Sequence, residues 1–228
     1  GDVYKRQTQG TFRHCYPVYE APIYHLRQKT VWRICSRRIG FSLVNICNIW
    51  SNRRKTAFSN QGGNHPVSYT HLTEMCIRDS LINAQHADLV LFTGDLVNNV
   101  ATELDEFIPI LEQIKGKDGV YSVLGNHDYS PYIKWETEEA QEANLNSLKS
   151  KQAAMGWKIL NNDHVILHHH GDSIALAGVE NSGNPPFPNY GDLQKALKGT
   201  EGMYKILMSH DPTHWHREVL PESDIQLM

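Results

Sequence analysis

Three short runs place hard oxygen and imidazole groups directly after apolar stretches: Gly94-Asp95, Gly125-Asn126-His127-Asp128 and Ser209-His210-Asp211. Carboxylate, amide oxygen and imidazole are the donors that hold divalent cations, and a neutral-range imidazole can also pass a proton. Such groups act together only if something rigid brings them together, so the elements in front of them matter. Asp88 to Asn99 reads DLVLFTGDLVNN. Within it Val90, Leu91 and Phe92 form a short continuous apolar run ended by turn residues, the pattern of a parallel strand buried on both faces. Glycine at its end lets the backbone turn tightly while the following aspartate projects into the crevice where α/β sheets bind ligands. GVYSVLGNHDY and MYKILMSHDP repeat this grammar downstream.

GDLVNN, GNHDY and SHDPTHW, in that order, resemble the calcineurin-like metallophosphoesterase superfamily over roughly residues 81 to 228, and the surrounding text is similar to bacterial members. The resemblance implies an α/β fold, here an incomplete two-sheet sandwich flanked by helices. It implies a metal-dependent phosphoesterase that cleaves phosphomonoesters or phosphodiesters by attack of a metal-activated hydroxide, with two divalent ions (Mn, Fe, Zn or Mg) in the intact parent. Carried over residue by residue, Asp95 is the bridging carboxylate, and Asn126 and His210 are metal ligands. His127 is the proton donor to the departing alkoxide, and Asp128 orients it.

This sequence departs from that pattern at two places. The family's opening Asp-x-His triplet occurs nowhere before Asp95, and its closing Gly-His-x-His is missing after Asp224. One metal would keep Asp95, Asn126 and His210, and the other only Asp95. A catalytic metal normally takes about three protein ligands, so at most one weak site is expected and the chain is predicted to be inactive or nearly so. The alternative reading is a non-catalytic binding module on the same fold.

The charge of the chain is divided unevenly. Residues 1–80 carry 12 Lys+Arg against 4 Asp+Glu, and residues 81–228 carry 10 against 21, giving the formal net charge of -3. A basic arm of this kind would suggest a nucleic-acid partner whose affinity falls steeply with salt. The genetic code supplies a different explanation. The oligonucleotide AGATGTGTATAAGAGACAG translates as Asp2 to Gln7 in one frame and as Met75 to Ser80 in another, and its reverse complement gives Val67 to Leu72. It resembles a transposase-end adapter, so residues 1–80 are expected to be a non-native, poorly ordered segment, with 81–228 a truncated phosphoesterase domain. No nucleic-acid partner is then predicted.

Thr8 to Pro66 reads as a frameshifted or foreign piece, or as a damaged version of the parent's own amino-terminal region. It holds one apolar run, Phe41 to Trp50, too short to span a bilayer, and Gly63-Asn64-His65-Pro66, which imitates GNHD without a preceding strand. Cys15, Cys35, Cys47 and Cys76 all fall in residues 1–80 and define no framework. The chain opens at Gly1 without an initiator Met and stops inside an apolar run, so both ends read as open. Membrane attachment of the intact parent is left open, as are its location, cytoplasmic or membrane-associated, and its substrate.

Beyond Leu81 the pattern is coherent. Thr102 to Lys115 predicts an amphipathic helix with Leu104, Phe107, Ile108, Leu111 and Ile114 on its apolar face and a bend at Pro109. Ser130-Pro131 predicts the start of a polar helix running to about Met155. Lys158 to Leu160, Val165 to His169 and Ser173 to Val179 read as strands, the last two a hairpin around Gly171. A short helix from Gly191-Asp192 to Leu197, a strand from Met203 to Met208 and a brief helix after Pro212 complete the reading. Asp211 is expected to support a ligand or cap a helix. His214 and His216 face either substrate or solvent, and His168, His169 and His170 form a strand edge.

Overall fold

The computed structural model describes residues 31–32, 43–46, 82–169, 171–220 and 225. Among the described residues eight strands form two sheets. The first contains β1 (Val31–Trp32), β2 (Leu43–Ile46), β3 (Leu89–Phe92), β4 (Gly119–Ser122) and β5 (Lys158–Ile159) in sequential order. Strands β2 to β5 run parallel, and β1 is an antiparallel edge. The second contains β6 (Asp163–His169), β7 (Asp172–Gly178) and β8 (Tyr204–Met208), with the expected β6–β7 hairpin turning at Gly171, and β8 parallel to β7. The class is mixed α/β with two packed sheets, as the sequence expects.

Side-chain alternation along β3 explains the layering. Successive strand residues face opposite sides. Val90 and Phe92 join Val120, Leu104, Phe107, Leu111, Leu148 and Trp157 beneath the helices, whereas Leu89 and Leu91 join Tyr121, Val123, Leu176, Ile206 and Met208 between the sheets. A third apolar layer, with Ala177, Val179 and Leu207 against Leu193, Ala196 and Val219, closes the far side of the second sheet. All four residues of β3 are buried, as its unbroken apolar run requires.

The helices differ from expectation in extent. The segment after β3 is a 3-10 turn (Ala101–Leu104) followed by α1 (Ile108–Leu111), with Pro109 in its first turn. Proline has no N–H to donate and crowds the preceding turn, so the predicted single helix splits there instead of bending. Its apolar face survives: Leu104, Phe107, Leu111 and Ile114 are buried. The polar helix α2 runs Glu138–Ala154, beginning eight residues after Ser130 because Ser130 adopts a left-handed conformation (φ 55°) and Thr137, not Ser130, caps the first turn through Ala140 N–H. Helix α3 spans Leu193–Leu197, with Asp192 accepting the Lys195 N–H at 2.9 Å.

From residues 1–80 the structure describes β1 and β2. The run Phe41 to Trp50, which shows no convincing periodicity, supplies β2, paired in parallel with β3 from Leu43↔Leu89 to Ile46↔Phe92. The three adapter-like peptides, Gly63 to Pro66, the four cysteines and the chain's last three residues lie outside the described residues.

Candidate functional site

Asp95, Asn126, His127 and His210 come together beyond the carboxyl ends of β3, β4 and β8. Two glycines allow the approach. A Cβ on Gly94 would lie 2.6 Å from the Gly125 nitrogen and 2.7 Å from His210 Nδ1; one on Gly125 would lie 2.3 Å from Asp95 Oδ1. Asp95 itself is buried with φ 60°, a left-handed conformation that aspartate tolerates better than most residues and that concentrates at functional sites.

Each donor atom has a defined orientation. Asp95 Oδ1 accepts the His127 backbone N–H at 3.0 Å, which leaves Oδ2 3.3 Å from His210 Nε2. The same Nε2 is 3.0 Å from Asn126 Oδ1. On the other side of the ring, His210 Nδ1 donates to the Thr93 carbonyl at 2.7 Å, fixing the tautomer so that the Nε2 lone pair faces the two oxygens. Three polar atoms therefore converge, an arrangement that a proton on Nε2 or a bound cation can complete. Without a cation, burial opposes charge on His210, but the Asp95 carboxylate and the Thr93 carbonyl outweigh it and raise its pKa, favouring a proton on the ring that a bound cation would displace. Among the described residues no group of three or more His, Cys, Asp or Glu could hold a metal; the set here is one Asp, one His and one Asn amide. Those donors fit a divalent cation of borderline hardness, with water completing the shell.

The expectation that Asp128 orients His127 is corrected. His127 Nδ1 pairs instead with the Asn98 carbonyl at 2.8 Å. The fully buried Asp128 carboxylate accepts four backbone N–H groups: Asp95 at 2.9 Å and Gly125 at 2.8 Å on Oδ2, Leu96 at 2.8 Å and Val97 at 3.2 Å on Oδ1. Asp128 thus ties the turn after β3 to the turn after β4. Burial pushes its pKa up to about 6, although the Gly125, Val97 and Leu96 N–H groups favour the charged form.

Glu103 does for the next stretch what Asp128 does for the first, and the sequence reading missed it. Its carboxylate takes the N–H groups of Asn98, Asn99 and Val100, all near 3 Å. It thereby holds the loop whose carbonyl contacts His127. Tyr132 was missed as well: its ring centroid lies 4.7 Å from that of His127, and its hydroxyl accepts from Asn126 Nδ2. A glutamate three residues after Val100 is a readable capping signal, but the Thr93 and Asn98 carbonyls leave no trace in residue type.

The remaining candidates fall outside the cluster. Asp211 caps the turn after it, accepting the Thr213 N–H at 2.8 Å. His214 faces neither substrate nor solvent; it is fully buried between Ser209 Oγ (3.0 Å) and Glu218 (2.9 Å). His216 is exposed, and His168 lies on the hairpin edge against Ser173 Oγ.

Residues 63–226 match the calcineurin-like phosphoesterase profile. The chain belongs to that family. Members generally use divalent metals and act on phosphate esters. Similar curated proteins include a zebrafish (Danio rerio) transmembrane protein with metallophosphoesterase domain, 29% identical over 65% of this chain and 33% of its own length. Another is the uncharacterized metallophosphoesterase YkuE of Bacillus subtilis, 27% identical over 65% of this chain and 48% of its own. The chain thus spans between a third and a half of these relatives. Haemophilus influenzae NAD nucleotidase is a structural neighbour with TM-score 0.42 and 17% identity, matched over 67% of this chain and 30% of that one.

Proposed function

We propose that this chain is the core of a metal-dependent phosphoesterase acting on phosphomonoesters or phosphodiesters, with Asp95, Asn126 and His210 holding a divalent cation and His127 serving as general acid. The observation that carries the reading is the convergence of Asp95 Oδ2, Asn126 Oδ1 and His210 Nε2, all within 3.3 Å of the histidine nitrogen or at it. A divalent ion bound there would supply Lewis acidity toward a phosphoryl oxygen and lower the pKa of a coordinated water.

The chain's own residues would do the rest. Asp95 brings the negative charge that balances a cation, and its anchored Oδ1 leaves Oδ2 free to face it. Asn126 contributes oxygen without charge, so the site does not over-neutralise the ion that must also attract phosphate. His127 has Nδ1 committed to the Asn98 carbonyl, so Nε2 is the nitrogen available to give a proton to the leaving oxygen. Asp128 and Glu103 hold the two loops in register.

Three donors suit one cation, so the described residues support a single site and turnover well below that of a two-metal enzyme. Membrane attachment of the intact protein belongs to the same proposal, because the zebrafish and cattle (Bos taurus) relatives are named as transmembrane proteins. Among the described residues no helix is long and apolar enough to cross a membrane.

Single-turnover hydrolysis of an aryl phosphate by the full chain with Mn2+ tests the reading. Slow product release that chelator and Asp95→Ala both abolish is the expected result. Release indifferent to either would overturn the metal-dependent mechanism, and release as fast as an intact family member's would overturn the single-cation count.

A further inference from the structure

Tyr132 is about half exposed, at 48%, yet its two polar and aromatic contacts are both to the cluster. Its hydroxyl accepts the Asn126 Nδ2–H, and its ring lies against the His127 imidazole at 4.7 Å with an interplanar angle of 46°. The segment that carries it is tethered. Trp135 Nε1 donates to the Ser130 carbonyl at 2.9 Å, Asn144 Nδ2 donates to Ser130 Oγ at 3.0 Å, Ser130 Oγ donates to the Asn99 carbonyl, and Gln141 Nε2 reaches the Tyr129 carbonyl at 2.7 Å. Ser130 is buried, and its left-handed backbone starts the excursion that ends at Thr137, where α2 begins. The tyrosine is therefore delivered to the cluster by a stretch whose hydrogen bonds go to both neighbouring loops and the helix.

An amide has two ends of opposite character. Only the oxygen of Asn126 can face a cation, so the NH2 points to the outer side, where a fixed acceptor would hold the amide's orientation against exchange with water. Tyr132 Oη is that acceptor; of the neighbouring carboxylates, Asp95 Oδ1 accepts the His127 N–H and Asp128 accepts four backbone donors.

We propose that Tyr132 is a positioning residue of the cation site, its hydroxyl holding Asn126 so that Oδ1 stays turned toward His210 and Asp95. The inference rests on the metal reading above and extends it to a residue outside the three-donor set. Outer partners that orient a ligand are worth about 10- to 100-fold in metal affinity. A tyrosine at the surface whose role is only to fill space would contribute nothing to that affinity once its ring is kept.

The test is Mn2+ binding to the full chain, followed by the electron paramagnetic resonance of free Mn2+, for the wild type, Asp95→Ala and Tyr132→Phe, with thermal unfolding of each metal-free protein. The expected pattern is binding by the wild type, none by Asp95→Ala, and a dissociation constant about tenfold higher for Tyr132→Phe with an unchanged melting temperature. Tyr132→Phe keeps the ring against His127, so a lost hydroxyl is the single change. Wild-type affinity in Tyr132→Phe would overturn the positioning role while leaving the metal reading intact. Absence of binding by the wild type, or equal binding by Asp95→Ala, would overturn both.

Discussion

Two regions of this molecule are rich in histidine and aspartate, and among the described residues only one of them forms a cluster. The hairpin of β6 and β7 carries Asp163, His164, His168, His169 and Asp172, more ligand-type side chains in a shorter span than the turns after β3 and β4. On that hairpin His164 Nδ1 pairs with the Ala196 carbonyl at 2.9 Å, and His168 Nδ1 pairs with Ser173 Oγ across the strand edge. Strand alternation sends adjacent side chains such as Asp163 and His164 to opposite faces, and the described histidines there pair with a backbone carbonyl and a hydroxyl rather than with one another. At the ends of β3, β4 and β8 the donors are far apart in sequence, yet glycines at 94 and 125 remove the Cβ atoms that would keep the turns apart. Two carboxylates, Asp128 and Glu103, then fasten the backbone. Ligand identity alone does not make a site; the buried polar framework beneath it does.

The contrast can be broken most severely at Asp128. Asp128→Ala leaves four N–H groups without their acceptor. At about 1–3 kcal/mol for each orphaned buried donor, the loss should be roughly 4 kcal/mol or more, measured by urea unfolding. An equivalent loss on replacing His168 would erase the distinction between the regions. Gly125→Ala comes next: the added methyl would meet Asp95 Oδ1 at 2.3 Å and His210 Cε1 at 2.8 Å. It should cost about 1–3 kcal/mol through overpacking and weaken Mn2+ binding by about tenfold or more, read by calorimetric titration.

Glu103→Gln is a finer probe. Burial works to raise the Glu103 pKa, but hydrogen bonds from Val100, Asn98 and Asn99 prevail and hold it below the ordinary glutamate range. A depressed folded-state pKa gives stability that is present above the unfolded value and lost as pH falls through the folded one. The variant should therefore be destabilised by about 1 kcal/mol at neutral pH, with the difference from wild type shrinking in acid unfolding measurements. His168→Ala should change stability by less than about 0.5 kcal/mol and leave Mn2+ affinity unaltered.

Much of this was legible from residue order. Buried parallel strands announce themselves as unbroken apolar runs, so β3, β4 and β8 and the donors after them could be placed without coordinates. The hairpin at Gly171 and the cap at Asp192 were legible because turn and cap chemistry is local. Three features were not. Pro109 was readable as a perturbation, but residue type alone does not say whether it bends a helix or, as here, sits in the first turn of a separate one. Ser130 looked like a helix start because Ser-Pro usually is one; its left-handed backbone is set by Asn144 and Asn99, which are distant in sequence. The partner of Asp128 is a row of backbone N–H groups, and the partner of His127 is a backbone carbonyl. Main-chain groups are the same at every position, so no residue pattern can point to them.

The central claim is that the strand ends, not the histidine-rich hairpin, hold the cation. Anomalous diffraction from a crystal of the full chain soaked in Mn2+ tests it most directly. The account predicts one peak, in contact with Asp95 Oδ2, Asn126 Oδ1 and His210 Nε2. A peak on the β6–β7 hairpin with none at the strand ends, or no bound manganese in the crystal, would contradict it.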